Sequence, residues 1–313
     1  MKKRYVLAAA FAVLALSLTA CSPAGNSGGG SSSKVIKIGF ITKFPVDFYD
    51  TMVQAAKDWD AKTPGAELVF SQGKSGTDDE SEINAIQADI TLGVKAIAIT
   101  PTSPNVKGAL QKAVDAGIKV VLIDNDIPDW DGKSAVVATD NLAGGKLAGA
   151  YLAKTLKPGA KIAVLQGVLG NPSLDDRVTG MIAGLGSGFT IVSKTPTDCD
   201  QTKGLNAGQD VLTANPDLDA IYSACGPPIT GALQAVKAAG KEGKLVTVGF
   251  DASPDEVKAI AGGTETASVA QFPSKMGSLG AQTAFDAASG KTVDAKVDTG
   301  TELVTKDNVS QFQ

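Results

Sequence analysis

Lys119-Val120-Val121-Leu122-Ile123-Asp124-Asn125-Asp126 is an unbroken apolar, mostly β-branched run that stops at two acids and an amide. Strict alternation would mark a half-buried strand. A continuous run marks one buried on both faces, as in a parallel sheet covered by helices. In open sheets of that kind ligands bind beyond the carboxyl ends of the strands. Asp124 and Asn125 are therefore candidate site residues, and the fold class depends on how often the chain repeats this arrangement.

It repeats throughout. In the first half, strands are expected at residues 35–41, 67–70, 95–100, 120–124 and 135–138. Between them Phe48, Met52, Ala55, Ala56 and Trp59 fall at helical spacing, and Ser103-Pro104 supplies a helix cap followed by proline at the first helical position. The second half offers strands at 161–165, 190–192, 220–223, 245–250 and 268–271. Ser253-Pro254-Asp255-Glu256 reads as a capping box, so a helix starts directly after Asp251. Strand and helix alternating at this pace define an α/β fold of two similar lobes, each with a parallel sheet and crossover helices. The 313 residues and 43% hydrophobic content suffice for two cores, and 35 glycines with only 5% aromatics suit Ala/Val/Ile/Leu elements joined by tight turns.

Polar residues expected at strand ends are Thr42, Thr100, Asp124, Asn125, Asp140, Arg177, Asp198, Asp251 and Gln271. Carboxylates accept hydrogen bonds from vicinal hydroxyls and Arg donates in a fork. Phe48, Tyr49 or Trp130 is suited to cover the apolar face of a sugar. Acids and amides after strands also cap the next helix, and that is the reading taken for Asp140, with a hinge role beside it. Asp78-Asp79-Glu80 with Glu82 reads as the solvated first turn of a helix. Gly184-Leu185-Gly186-Ser187-Gly188 is no dinucleotide fingerprint. The stretch DIPDWDG at 126–132 lacks the ligands of a calcium loop, so no metal is expected.

The balance of 29 basic and 33 acidic residues gives −4, and removing Lys2, Lys3 and Arg4 with a leader leaves 26 against 33, or −7. No basic stripe exists, so nucleic acid is not an expected partner. Histidine is absent, which removes the usual general base, the imidazole of nucleophilic pairs and the commonest metal ligand. Carboxylate-based hydrolysis survives that test, so the absence of histidine lowers the expectation of an enzyme without closing it; the chain is expected not to be an enzyme and to carry no cofactor.

Residues 1–20 combine a cationic start with an apolar run and read as an export signal. Leu18-Thr19-Ala20-Cys21 resembles the lipobox of bacterial lipoproteins, which implies that Cys21 carries the lipid and becomes the N-terminus. Residues 21–33 continue as a Gly/Ser tether. Cys199 and Cys225 remain, an even count in an oxidising compartment, where a disulfide is the default and two free buried thiols are the alternative.

Ile99-Thr100-Pro101-Thr102, Ile123-Asp124, Thr139-Asp140-Asn141 with Gly144-Gly145-Lys146, Leu165-Gln166-Gly167, Lys203-Gly204-Leu205-Asn206, Val248-Gly249-Phe250-Asp251 and Ala270-Gln271 occur in this order. Together they resemble the ribose-type sugar-binding lipoproteins and periplasmic proteins that serve ABC transporters. The resemblance spans about residues 34–304. It implies the type I periplasmic binding protein fold, two doubly wound lobes joined by a three-segment hinge at Thr139-Asp140, Gln271-Phe272 and Gly300-Thr301. One lobe would comprise 34–139 plus 272–300, the other 140–271 plus 301–313.

The resemblance also implies ligand contacts at Phe48, Tyr49, Asp124, Arg177, Asp251 and Gln271. Departures are as informative. Thr100 stands for an asparagine, Asn125 for an arginine, Cys199 for a phenylalanine, and Cys225-Gly226 for an Asn-Asp pair. Both cysteines thus map to pocket positions, and a disulfide there would line the cleft. The expected function is capture of a small neutral sugar or sugar alcohol by a monomer, delivery to ABC permease subunits, and membrane attachment through the lipid alone. A sensory receptor for a sugar-like signal is the alternative, and a secreted hydrolase acting through Asp124 and Asp251 is a third class.

Overall fold

The computed structural model describes residues 35–313. The expected export signal, the lipidated Cys21 and the tether lie outside the described residues. The opening stretch forms a strand in which Val120, Val121, Leu122 and Ile123 are each 0% exposed. Val121 and Ile123 enter one apolar cluster and Val120 and Leu122 another, on the opposite face. That two-sided burial is what an unbroken apolar strand requires.

The first half runs β1 (Ile36–Thr42), α1 (Asp47–Asp60), β2 (Ala66–Gln72), α2 (Asp79–Leu92), β3 (Ala96–Ile99), α3 (Lys107–Asp115), β4 (Lys119–Ile123) and β5 (Ala135–Ala138). Next come α4 (Asn141–Thr155), β6 (Lys161–Gln166), α5 (Pro172–Leu185), β7 (Thr190–Pro196), α6 (Gln201–Ala214), β8 (Ala220–Ser223) and α7 (Gly226–Ala238). The chain ends with β9 (Val246–Asp251), α8 (Pro254–Gly262), β10 (Ala267–Ala270), α9 (Pro273–Ala288), β11 (Lys296–Asp298) and β12 (Glu302–Thr305).

Among the described residues these strands make two sheets, ordered β11-β5-β4-β3-β1-β2 and β12-β10-β9-β8-β6-β7. The two orders are the same topology used twice. All pairings are parallel except β10 with β12. Sequence reading had no strand at β11 or β12, because three or four half-exposed residues carry too little periodicity to register. Helix α9 packs its Met276, Ala281 and Ala284 on the first sheet, although it follows the last parallel strand of the second.

The caps are those the sequence calls for. Ser253 and Glu256 close a capping box on α8, and Asp140 accepts from the Ala143 N–H at the start of α4. The solvated reading of the acids before α2 is corrected. Asp78 caps the helix, but Asp79 accepts from Thr102, Ser103 and Asn105. Glu82 is 0% exposed and accepts from both the backbone and the hydroxyl of Thr102. Among the described residues no helix is long and apolar enough to cross a membrane.

Helices α4 and α5 cross with their backbones nearly touching. A Cβ on Gly145 would lie 2.2 Å from the Arg177 carbonyl oxygen, and one on Gly149 2.1 Å from that of Met181. Only glycine permits this approach. Gly145→Ala is therefore expected to destabilise the domain by about 1–3 kcal/mol, through overpacking against backbone that cannot yield. Thermal unfolding checks this, and an unchanged midpoint would show that the crossing opens at no cost.

Candidate functional site

A cleft of about 640 Å³ lies between the two sheets, walled by residues that leave the carboxyl ends of β1, β4, β8 and β9 and the segment after β10. This is the size range of a small-molecule site. Asp124, Asp198, Cys199, Asp251 and Ala252 are the non-glycine residues with positive φ among the described residues, and all five line this cleft. Backbone strain of this kind concentrates where a chain must hold side chains for function.

The second-lobe wall is built around Arg177 on α5, which is 4% exposed. Its Nε donates to Asn141 Oδ1 at 2.8 Å, and Nη1 donates to the Ala224 carbonyl at 2.9 Å and to Asp251 Oδ1 at 3.2 Å. The guanidinium sits over the Phe250 ring at 4.0 Å. Asp251 also accepts from Gln271 Nε2 at 2.6 Å and from the Gly226 N–H at 3.0 Å. Burial pushes the Asp251 carboxyl up, against the opposing pull of Arg177. Gln271 Oε1 is buried without a partner in the protein.

On the first lobe, Asp124 Oδ2 accepts from the Tyr49 hydroxyl at 3.3 Å and from Asn125 Nδ2. Burial, reinforced by Asp124, holds the Tyr49 hydroxyl well above the usual tyrosine range, so it remains a donor. Phe44 and Phe48 both stand edge-on to Tyr49, with ring centroids 5.3 and 5.2 Å away. The lobes meet directly where the Ser173 hydroxyl donates to the Asp124 carbonyl oxygen at 3.2 Å. A disulfide joins Cys199 to Cys225 in the cleft wall, across 5.6 Å between α-carbons.

Most of the residues singled out in the sequence thus converge on one cleft: Phe48, Tyr49, Asp124, Asn125, Arg177, Cys199, Cys225, Asp251 and Gln271 all line it. Thr100 does not. It is 0% exposed at the tip of β3, its hydroxyl has no partner, and it is absent from the cleft wall. Trp130 is also corrected, since it packs into the core of the first lobe and its indole N–H donates to Gln111. Three wall or support residues are not among the sequence-based site candidates: Phe44, which precedes a proline, Lys43, which follows β1, and Asn141, quoted above only as part of a motif. Lys43 is 6% exposed and lines the cleft, with burial pulling its ammonium below the usual lysine range.

Two lobes of the same topology, facing each other across a cleft lined by hydrogen-bonding groups and one aromatic cluster, define a binding protein for a small polar molecule. Residues 38–292 match the periplasmic binding protein domain, and the chain belongs to that family. It is 38% identical over 221 residues to the ribose import binding protein of Salmonella typhimurium, covering 70% of this chain and 74% of that one. The ribose import binding protein of Bacillus subtilis is 30% identical over 298 residues, 92% of this chain and 95% of that one. An ABC transporter solute binding protein from Bacillus halodurans with bound myo-inositol superimposes with a TM-score of 0.84 at 25% identity, covering 90% of this chain and 98% of that one.

Carboxyls buried within the lobes give the domain a pH dependence. Burial raises Asp89 to about 6 and Glu82 to about 7, and burial with Asp251 nearby raises Glu256 to about 8. Each keeps its proton in the folded chain after the unfolded chain has lost it. The stability they contribute is thus present below the ordinary carboxylate range and lost as pH rises towards 8, at roughly 1.4 kcal/mol per unit per group. The unfolding midpoint is expected to be higher at pH 5 than at pH 8, and Glu256→Gln to reduce the difference. A midpoint that climbs across that interval would contradict the assignment.

Proposed function

We propose that this protein captures a sugar or sugar alcohol in the cleft and delivers it to an ABC importer. The observation that carries the reading is the convergence of strained, hydrogen-bonding strand ends from both lobes on one cleft. The names of the relatives, two of them ribose import binding proteins, support it. Free acceptor capacity on Asp124 and Asp251, the unused Nη2 of Arg177 and the unpartnered Gln271 Oε1 suit a ligand rich in hydroxyls. Phe48 and Tyr49 offer ring surface to its apolar face. Asn125 orients Asp124, and the Cys199–Cys225 disulfide gives the second lobe a small apolar wall that shifts shape preference away from ribose.

In this reading the lobes, 34–139 plus 272–300 and 140–271 plus 301–313, close over the ligand by rotation about Thr139-Asp140, Gln271-Phe272 and Gly300-Thr301. These segments lie side by side: the Thr139 hydroxyl is 3.5 Å from the Gly300 carbonyl, and the Thr301 hydroxyl donates to the Ala270 carbonyl at 2.8 Å. The domain acts as a monomer, held outside the cytoplasm by a lipid on Cys21 after removal of residues 1–20, and it docks on permease subunits.

A thermal-shift screen of residues 34–313 against pentoses, hexoses, inositols and alditols is expected to give one or two clear stabilisers, since a native-state ligand raises apparent stability. Asp124→Ala and Arg177→Ala should each weaken that ligand tenfold or more by calorimetry, the loss of one charged hydrogen bond. Affinities within twofold of wild type would remove both residues from the contact set. Separately, Cys21→Ala should move the full-length protein from the membrane fraction to the soluble extracytoplasmic fraction, and retention on the membrane would exclude the lipid anchor.

A further inference from the structure

Lys43 follows directly on β1, at the floor of the first-lobe wall. A lysine with 6% of its surface exposed ordinarily finds a carboxylate or carbonyls for its ammonium. Here Nζ makes no ion pair and no hydrogen bond with the described residues. The acids that act on it are Asp124, first, and Glu82. Glu82 accepts from Thr102 through Oε2, keeps Oε1 buried without a hydrogen bond, and is not part of the cleft wall. Asp124 faces the same cleft as Lys43, and its Oδ1 accepts from nothing in the protein.

The first lobe therefore presents an open ammonium and an open carboxylate oxygen to one cavity. The second lobe presents a comparable couple, with Arg177 and Asp251 in direct contact at 3.2 Å. Each couple contains one cation and one anion, so neither leaves a surplus charge for an ionic ligand. A hydroxyl both donates and accepts, and two adjacent hydroxyls can give one hydrogen to a carboxylate while the second oxygen accepts from an ammonium.

We infer that Lys43 is a specificity residue which, paired with Asp124, reads two adjacent hydroxyls of a neutral polyol. The inference rests on the sugar-binding reading above and narrows it. The ligand carries a vicinal diol at the end facing the first lobe and no carboxylate or phosphate. Lys43 also has a cost in the empty protein, because only 6% of its surface reaches water and its ammonium has no ion pair with the described residues.

The test is calorimetric titration of wild type and Lys43→Met with D-ribose, D-allose, ribitol and myo-inositol, and with D-ribonate as the anionic counterpart of ribitol. The expected result has three parts: a neutral polyol binds wild type, Lys43→Met loses tenfold or more of that affinity, and the unliganded variant unfolds at the same or a higher temperature than wild type. A residue with a merely structural role would lower that temperature. If Lys43→Met does not fold, Lys43→Gln serves the same comparison. Affinity within twofold of wild type overturns the role of Lys43 while the sugar-binding reading stands. Tighter binding of D-ribonate than of every neutral probe overturns the neutral-diol assignment. If no neutral sugar or polyol binds wild type, the function proposed above fails, and this inference with it.

Discussion

A guanidinium that is 4% exposed must be met on all sides, and the second lobe is arranged around meeting it. Arg177 draws on the start of α4 through Asn141, the end of β8 through the Ala224 carbonyl, and the end of β9 through Phe250 and Asp251. Removing water from the pair costs several kcal/mol per ion, so Arg177–Asp251 contributes little net stability. What it supplies is position. The backbone of Arg177 is in turn fixed by the α4–α5 crossing, where Gly145 lies against its carbonyl, and by the Tyr222 hydroxyl donating to that same oxygen at 3.3 Å. Packing inside the lobe and geometry at the cleft are one constraint.

The strained residues show the same dependence. Positive φ costs a residue with a side chain roughly 1–3 kcal/mol and persists only where neighbours over-determine it. At Asp124 the N–H is held by the Val137 carbonyl at 2.9 Å, and at Ala252 by the Ser268 hydroxyl at 3.0 Å. Ser268 in turn donates to the buried Glu256 at 2.7 Å. Asp198 and Cys199 lie in the turn after β7, which the disulfide ties to Cys225 at the start of α7. In each case the strain turns the chain sharply at a strand end, so that a side chain faces the cleft instead of continuing the sheet.

The fold was legible in the sequence because its strands are apolar on both faces and its helices carry strong caps. Periodicity and capping are local signals, and Lys119 to Ile123 and Ser253 to Glu256 need nothing distant to be read. The site was legible to the extent that polar residues stop such strands, which is how Asp124, Asn125 and Asp251 stood out. What the sequence withheld depends on the third dimension. Trp130 and Thr100 are polar or aromatic near strand ends yet turn into the first lobe, and no spacing rule distinguishes inward from cleft-facing there. Lys43 gave no warning, because a lysine after a strand is ordinarily solvated and here it is 6% exposed in the cleft wall. Glu82 misled for the converse reason: acids at a helix start suit solvent, but here Thr102 at the end of the neighbouring strand supplies two donors.

The connection from β11 to β12 bears on how the two sheets are tied together. Strand β11 belongs to the first sheet and β12 to the second, with only Thr299, Gly300 and Thr301 between Asp298 and Glu302. A connection that short cannot lengthen, since each residue spans at most about 3.6 Å. It runs beside Thr139 and Ala270, where the chain passes between the sheets at two other points. Thr139 with Gly300, and Thr301 with Ala270, hold the three connections against one another. Gly300, at φ 82, sits in the left-handed region where glycine adjusts at little cost, and a Cβ there would come no closer than 3.8 Å to Phe272. Gln271 lies on one of these connections and holds Asp251. Gln271 thereby ties a cleft-facing carboxylate to a connection between the two sheets.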